Sequence, residues 1–269
     1  VITIANQKGG VGKTTTTYNL GVCLARYHGK KTLMIDLDPQ GNLTDNCNQN
    51  PDELMVTTYD LLKANDPKPL HEVTLPLENN LYLVGSNISL SACEVSLVEQ
   101  MARERTLELA LEEGKDKYDF VLIDCPPSLG LLPINAFTAA DHLLVPGQTE
   151  YFSLRGIELI LQTLAKVKKK IRAKLEILGI VLTFYDKRKT LNKQILNMLT
   201  KNSPFGKIPI FKTVIRDNVA LAEAPSHGQS IIDYKQGSPG AEDYMELAAE
   251  FLRRVEEAEK TKSGKGKEA

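Results

Sequence analysis

Short apolar runs rich in β-branched residues recur along the chain, and longer amphipathic stretches separate them. Val1–Ala5, Thr32–Asp36, Leu81–Val84, Phe120–Asp124, His142–Val145, Ile177–Leu182 and Ile208–Phe211 each read as a strand. Between them the period lengthens. Leu20, Cys23, Leu24 and Tyr27 fall at i, i+3, i+4 and i+7, and Ile157, Ile160, Leu161, Leu164, Val167 and Ile171 form a second helical stripe. Strands without a polar face need cover on both sides. The alternation therefore predicts an α/β fold, three layers α/β/α around a mostly parallel twisted sheet. Such sheets bind ligands at the carboxyl ends of their strands. The stretch from Asn42 to Asn80 is polar and carries Pro51, Pro67, Pro69 and Pro76, so it reads as loops around a short helix near Thr57–Ala64. Ala241–Glu259 reads as a closing helix with Tyr244, Leu247, Ala248, Phe251, Leu252 and Val255 inward. Residues 1–259 are expected to form one domain and 260–269 a disordered tail.

Composition adds limits. A chain of 269 residues can bury roughly three quarters of its unfolded surface, so no structural metal or disulfide is required. The net charge of −1 predicts no global attraction to polyanions, and any such binding must come from a local patch. Cys23, Cys47, Cys93 and Cys125 are scattered without a C-x-x-C pair, which points to reduced thiols rather than a zinc site. Neither a signal peptide nor a membrane-length apolar run is present, so a cytoplasmic protein is expected. The chain opens on Val1 rather than Met, so native residues are expected to precede it.

The chemistry starts where the first strand ends, in Asn6-Gln7-Lys8-Gly9-Gly10-Val11-Gly12-Lys13-Thr14-Thr15. Strand, glycine-rich turn, Gly-Lys-Thr and helix together encode a phosphate cradle of the P-loop NTPase type. Glycines let the backbone turn several N–H groups toward one anion, and the positive end of the helix dipole faces the same point. Lys13 is placed for the outer phosphates and Thr14 for Mg²⁺. Gln7 stands where the general pattern has glycine, and Lys8 is a second cation inside the loop. Two further strand ends carry carboxylates. In Leu33-Met-Ile-Asp36-Leu-Asp38-Pro39-Gln40-Gly41-Asn42 the two acids lie one residue apart and point to the same side. One suits the water shell of Mg²⁺, the other the attacking water. Phe120-Val-Leu-Ile-Asp124-Cys125-Pro126-Pro127 has the form of a second magnesium-associated strand, followed by a stiff turn suited to sensing a γ-phosphate.

Taken together, these three segments resemble the ParA/Soj family of partition ATPases, within the deviant Walker-A group that also contains MinD. Thr183-Phe-Tyr185-Asp186 and Glu223-Ala-Pro225-Ser226-His227-Gly228 extend the resemblance, which runs from Val1 to about Tyr234. It implies ATP and Mg²⁺ as cofactors, with slow, partner-stimulated hydrolysis. Lys8, Gly9, Gly10, Val11, Gly12, Lys13, Thr14 and Thr15 would form the nucleotide loop. Lys8, Lys13 and Asp38 would be catalytic, Lys8 reaching the phosphates of the other subunit in a nucleotide-sandwich homodimer. Thr14, Asp36 and Asp124 would serve the metal. Where the family often has Pro-Arg-Asn, this chain has Arg216-Asp217-Asn218. Asn218 is placed with the nucleotide, and Arg216 with either the adenine pocket or DNA.

Basic clusters bear on a polyanion partner. Lys166-Val-Lys168-Lys169-Lys170-Ile-Arg172-Ala-Lys174 surrounds the polar side of a helix, and Lys187, Arg188 and Lys189 lie in a loop. A solvated helix face accounts for the first cluster as well as DNA does. Arg188 falls at a basic position that family members use for non-specific double-stranded DNA. Lys187, Lys189, Lys168, Lys169, Arg172 and Arg216 are the further DNA candidates. The implied cycle uses a ParB-like centromere-binding partner and a nucleoid-associated protein that partitions a chromosome or plasmid. Alternatives are positioning of a non-DNA cargo over the nucleoid, a MinD-like membrane cycle, and an enzyme on the same fold. The first shares all the chemistry. The second wants a stronger apolar face after Phe251, and an iron-protein version of the third wants a partner for Cys125.

Overall fold

The computed structural model describes residues 1–128, 130–148, 151–171, 174–188 and 208–265. Among them, β1 (Ile2–Ile4), β2 (Thr32–Asp36), β3 (Leu75–Glu78), β4 (Leu81–Val84), β5 (Phe120–Asp124), β6 (His142–Gln148) and β7 (Glu176–Thr183) form one sheet in the order β3-β4-β2-β5-β1-β6-β7. All neighbours are parallel except β3, which runs against β4 at one edge.

Alternate residues of the central strands serve opposite layers. Leu33 and Ile35, Val121 and Ile123, and Leu143 and Val145 pack against Leu107, Phe137, Leu161 and Leu164 from the helices Thr106–Glu112, Leu131–Ala139 and Tyr151–Ile171. Ile2, Ile4, Met34, Leu122 and Leu144 pack the other way, against Leu20 and Leu24 of α1 (Lys13–His28) and Tyr244, Leu247 and Phe251 of the closing helix Pro239–Lys265. This is the expected three-layer α/β/α sandwich. No helix among the described residues is long and apolar enough to cross a membrane.

Three local expectations change. Leu75–Glu78, read as loop because of Pro76, is an antiparallel edge strand in which Pro76 pairs with Tyr82. An edge tolerates proline because one side of the strand needs no ladder donor. Ile208–Phe211, read as a strand, makes only an isolated bridge from Ile210 to Ile180, and Pro209 within it has no N–H to extend the pairing. β6 continues past Val145 through Pro146 and Gly147 to Gln148, and that extension carries Gln148 to the phosphate loop. The short helix of the polar stretch is Thr58–Leu62, closed by a Thr57–Asp60 capping box, and the helices Asn42–Asn46 and Leu70–Val73 flank it. The closing helix runs through Lys265, into the segment expected to be disordered.

Sheet register positions the site. Asp36 pairs with Asp124, and Asp124 with Ile4, so both carboxylates stand level with the end of β1, where the glycine loop begins. Gln148 pairs with Thr183 at the same edge.

Candidate nucleotide site

The loop from β1 to α1 turns at Gly10 and Gly12, with φ of 70° and 82°. Both values lie in the left-handed region, which suits glycine. Gly12 is the residue before α1, so Lys13 is the first helical residue and free N–H groups of the first turn face the loop. The Lys13 side chain is 7% exposed, and burial lowers its pKa although Asp124 and Asp38 pull it upward.

Three carboxylates converge on this point, all buried. Asp124 accepts the Thr14 hydroxyl at 2.7 Å and the Thr17 hydroxyl at 3.4 Å. Asp36 accepts the backbone N–H of Asp38 at 3.1 Å and both the N–H and the hydroxyl of Thr44, at 2.9 and 2.7 Å. Asp38 accepts the N–H of Gln40 at 3.0 Å through one oxygen. Burial pushes Asp124 up to about 8, helped by the charge of Asp36 and opposed by Thr14 and Lys13. Asp36 rises to about 6, again through burial, against its hydrogen bonds from Thr44 and Asp38. Three carboxylates thus stand beside one buried cation, and their oxygen donors suit a hard divalent ion. Among the described residues no group of three or more His, Cys, Asp or Glu is placed to hold a metal by itself. A magnesium site here needs phosphate and water oxygens besides Thr14, which is how Mg²⁺ is usually held.

Side chains to which the sequence assigned no role clamp the loop. Gln148 at the end of β6 accepts from Lys8 Nζ at 3.0 Å and donates to the Gly10 carbonyl at 2.9 Å. Thr183 at the end of β7 donates to the Val11 carbonyl at 2.9 Å, and Asn6 donates to the Pro146 carbonyl at 2.7 Å. Gln148 gave no motif signal, since Pro146 and Gly147 read as the end of its strand. Thr183 lay inside a recognised segment without an assigned role, and Thr44 lay in the polar stretch read as loops.

Beside the loop lies a cavity of about 340 Å³ lined by Gly12, Thr15, Phe184, Asn218, Pro225 and Tyr244 among others. It is mostly apolar and adjoins the phosphate cradle. Phe184 has a φ of 51°, an uncommon conformation for a bulky residue, and is half exposed at this cavity. Asn218 caps the helix Val219–Glu223, its Oδ1 accepting from the Ala220 N–H at 3.0 Å, while its Nδ2 is buried with no partner. Arg216 also lines the cavity, with its guanidinium on Asp243 and Glu242 of the closing helix.

Residues 1–177 match the family model for an AAA domain. The chain is similar to the sporulation initiation inhibitor protein Soj of Bacillus subtilis, 44% identical over 250 residues that cover 93% of this chain and 97% of that protein. It is equally similar to the chromosome-partitioning ATPase Soj of Treponema pallidum, 44% identical over 255 residues, 94% and 97% of the two chains. This chain belongs to the ParA/Soj family of partition ATPases. Among solved structures it is similar to cobyrinic acid a,c-diamide synthase of Mycobacterium smegmatis with bound ADP and magnesium, at a TM-score of 0.81 and 33% identity over 95% of this chain and 94% of that one.

The basic candidates of this ParA/Soj-family chain separate in space. Lys168 and Lys169 are exposed near the end of the helix Tyr151–Ile171, a few residues before β7 begins. Lys187 and Arg188 are exposed a few residues after β7 ends, on the edge that holds the nucleotide site. Eight strand residues, about 25 Å, lie between the clusters. Arg188 pairs with Asp186 at 2.9 Å while its side chain remains 86% exposed. Arg172 and Lys189 lie outside the described residues.

Proposed function

We propose that this chain is an ATP-driven dimerisation switch that holds DNA without reading its sequence and serves chromosome or plasmid partition. The observation that carries this reading is the convergence of Lys13, Thr14, Asp36, Asp38 and Asp124 at the carboxyl ends of β1, β2 and β5, beside a cavity fit for a purine. The glycine loop and Lys13 would bind the phosphates of ATP. Thr14 would hold Mg²⁺ directly, and Asp36 and Asp124 through water. Bound Mg²⁺ would withdraw charge from the phosphates and ease attack on the γ-phosphorus. Asp38 would orient the attacking water with its carboxylate, because Asp36 is occupied by Thr44 and Asp124 by Thr14.

Lys8 gives the switch its dependence on a second copy. In the single chain its ammonium sits on Gln148. In a homodimer closed over the nucleotide it would exchange that partner for phosphate oxygens of the other copy, placing a further cation where charge develops. Hydrolysis removes that attraction and frees the subunits. A ParB-like partner would stimulate the step, and the ATP-bound dimer would be nucleoid-associated. Lys187 and Arg188 are the stronger DNA candidates because they share the nucleotide edge of the sheet. The name of the Treponema pallidum relative supports partition, and the 44% identity of the two Soj proteins outweighs the 33% of the synthase.

Binding to a non-specific duplex, measured with ATP and with ADP across a salt series, tests the reading. ATP-dependent binding that weakens steeply with salt is expected. Equal binding in both nucleotides would remove the switch. Asp38→Ala should bind ATP, fail to hydrolyse it and stay on DNA.

A further inference from the structure

Arg216 stands in the wall of the base cavity, yet its Nε and Nη2 are turned to the closing helix. Its Nε donates to Asp243 Oδ1 at 2.9 Å and Oδ2 at 3.1 Å. Its Nη2 donates to Glu242 Oε2 at 2.9 Å and the Pro239 carbonyl at 3.0 Å. Even its backbone N–H goes to Asp243, at 2.8 Å. Asp243 is 5% exposed, so one buried carboxylate holds both the main chain and the side chain of Arg216.

The segment around Arg216 is held from the opposite side by the end of β7. Ile215 donates to the Leu182 carbonyl at 2.8 Å, Tyr185 to the Ile215 carbonyl at 2.9 Å and Asp217 to the Tyr185 carbonyl at 3.2 Å. Two residues beyond Arg216 comes Asn218, whose amide orientation is set by its role as helix cap. With Oδ1 committed to Ala220, only the Nδ2 hydrogens remain, and they are the unpartnered buried donors of the cavity wall.

We propose that the Arg216–Asp243 pair is a positioning device for base recognition. It fixes Ile215–Asn218 between β7 and the closing helix, so that the Asn218 amide presents a donor to a ring-nitrogen acceptor of a purine. Arg216 is then a positioning residue and touches neither phosphate nor DNA. The inference rests on the nucleotide reading of the site and adds to it what fixes the base-contacting wall. A purely structural role is the competing account, but the closing helix has other anchors. Tyr244 bonds Thr16 at 3.2 Å, and Glu250 accepts the N–H groups of Lys212 and Thr213. Losing the pair should therefore leave the helix seated and loosen only the wall.

The test is calorimetric binding of ATP and of inorganic tripolyphosphate, each with Mg²⁺, to the full chain and to Asp243→Asn, Arg216→Ala and Arg216→Lys. Tripolyphosphate has the anion but no base. The variants should lose about tenfold in ATP affinity, the scale of one hydrogen bond, with the tripolyphosphate affinity changing by less than about twofold. Arg216→Lys should not rescue, since an ammonium cannot fill a planar fork. Parallel losses for both ligands would reduce the pair to a fold contact and overturn the proposal. So would unchanged ATP affinity coupled to weaker DNA binding at saturating ATP. A wild-type chain that binds tripolyphosphate but gains nothing from the base overturns the base cavity and this role with it. One that binds neither ligand overturns the nucleotide reading itself.

Discussion

Lys8 and Gln148 are joined by a hydrogen bond of 3.0 Å, and the same Gln148 amide donates to the Gly10 carbonyl at 2.9 Å. One side chain at the end of β6 thus ties two points of the glycine loop to the sheet. Gln148→Ala removes both ties without touching Lys13 or the carboxylates. The expected result is a loss of about three- to tenfold in affinity for ATP and ADP alike, because the loop must then be ordered by the nucleotide alone. Titration calorimetry on the wild type and the variant measures it, and equal affinities would show that the clamp is idle.

The pairing of Asp36 with Asp124 across β2 and β5 predicts a pH-dependent stability in protein free of nucleotide and metal. Both carboxyls hold their protons more tightly in the fold than in the unfolded chain, where the value is about 4. Groups of this kind stabilise most at low pH, and the benefit fades as pH rises through about 6 for Asp36 and about 8 for Asp124. Asp124→Asn should therefore flatten the decline between pH 6 and pH 8 and raise the melting temperature at pH 8 by about 3–6 °C. Thermal melts in EDTA at the two pH values decide it. A variant with the wild-type slope would mean that Asp124 is already ionised at no cost. Magnesium-dependent hydrolysis should fall in the same variant.

Glu250 behaves in the opposite sense. Burial raises its pKa, but the N–H groups of Lys212 and Thr213, the Thr213 hydroxyl and Arg254 outweigh it and hold the carboxyl below its usual range. Its contribution is present above the unfolded value of about 4.3 and is lost as pH falls through the folded value. Glu250→Ala should cost about 2–4 kcal/mol at pH 7, leaving four donors without this acceptor. The gap to wild type should narrow below about pH 4, as the wild-type Glu250 takes up its proton and its charge-assisted bonds weaken. Urea unfolding at the two pH values measures both parts of the claim.

The loop at Gly9–Thr15 and the acids at Asp36, Asp38 and Asp124 were legible because phosphate and metal chemistry restricts residue type as well as spacing. Five of the seven strands were legible to within two residues of their ends because parallel strands buried on both faces leave a run of apolar residues. β3 was hidden by Pro76, whose edge position is a property of the sheet and not of the segment. Gln148 was hidden by Pro146 and Gly147, and its role depends on β6 and β1 being neighbours. Arg216 could be assigned to DNA or to adenine from its place near the Asp217-Asn218 pair, but its carboxylate partners lie 26 and 27 residues away on another helix. Contacts of that span have no local pattern.

The separation of the basic clusters by the length of β7 yields the last prediction. Removing a cation that neutralises one DNA phosphate lowers the salt slope of binding by about one, irrespective of DNA sequence. Arg188 is 86% exposed on the edge of the sheet where the dimer would close, and its partner Asp186 is a neighbour it can release. Arg188→Ala should retain ATP hydrolysis, lose about tenfold in DNA affinity at moderate salt and lower the slope by about one. Lys168 and Lys169 sit at the opposite edge, where the proposed closure over the nucleotide would bring no second copy. The double variant Lys168→Ala, Lys169→Ala should leave the ratio of ATP-dependent to ADP-dependent binding unchanged, even if total affinity drops. Mobility shifts on a random duplex in both nucleotides separate the two cases. Should the double variant abolish the ATP dependence while Arg188→Ala spares it, the DNA surface lies on the far edge and the nucleotide must act on it through the sheet.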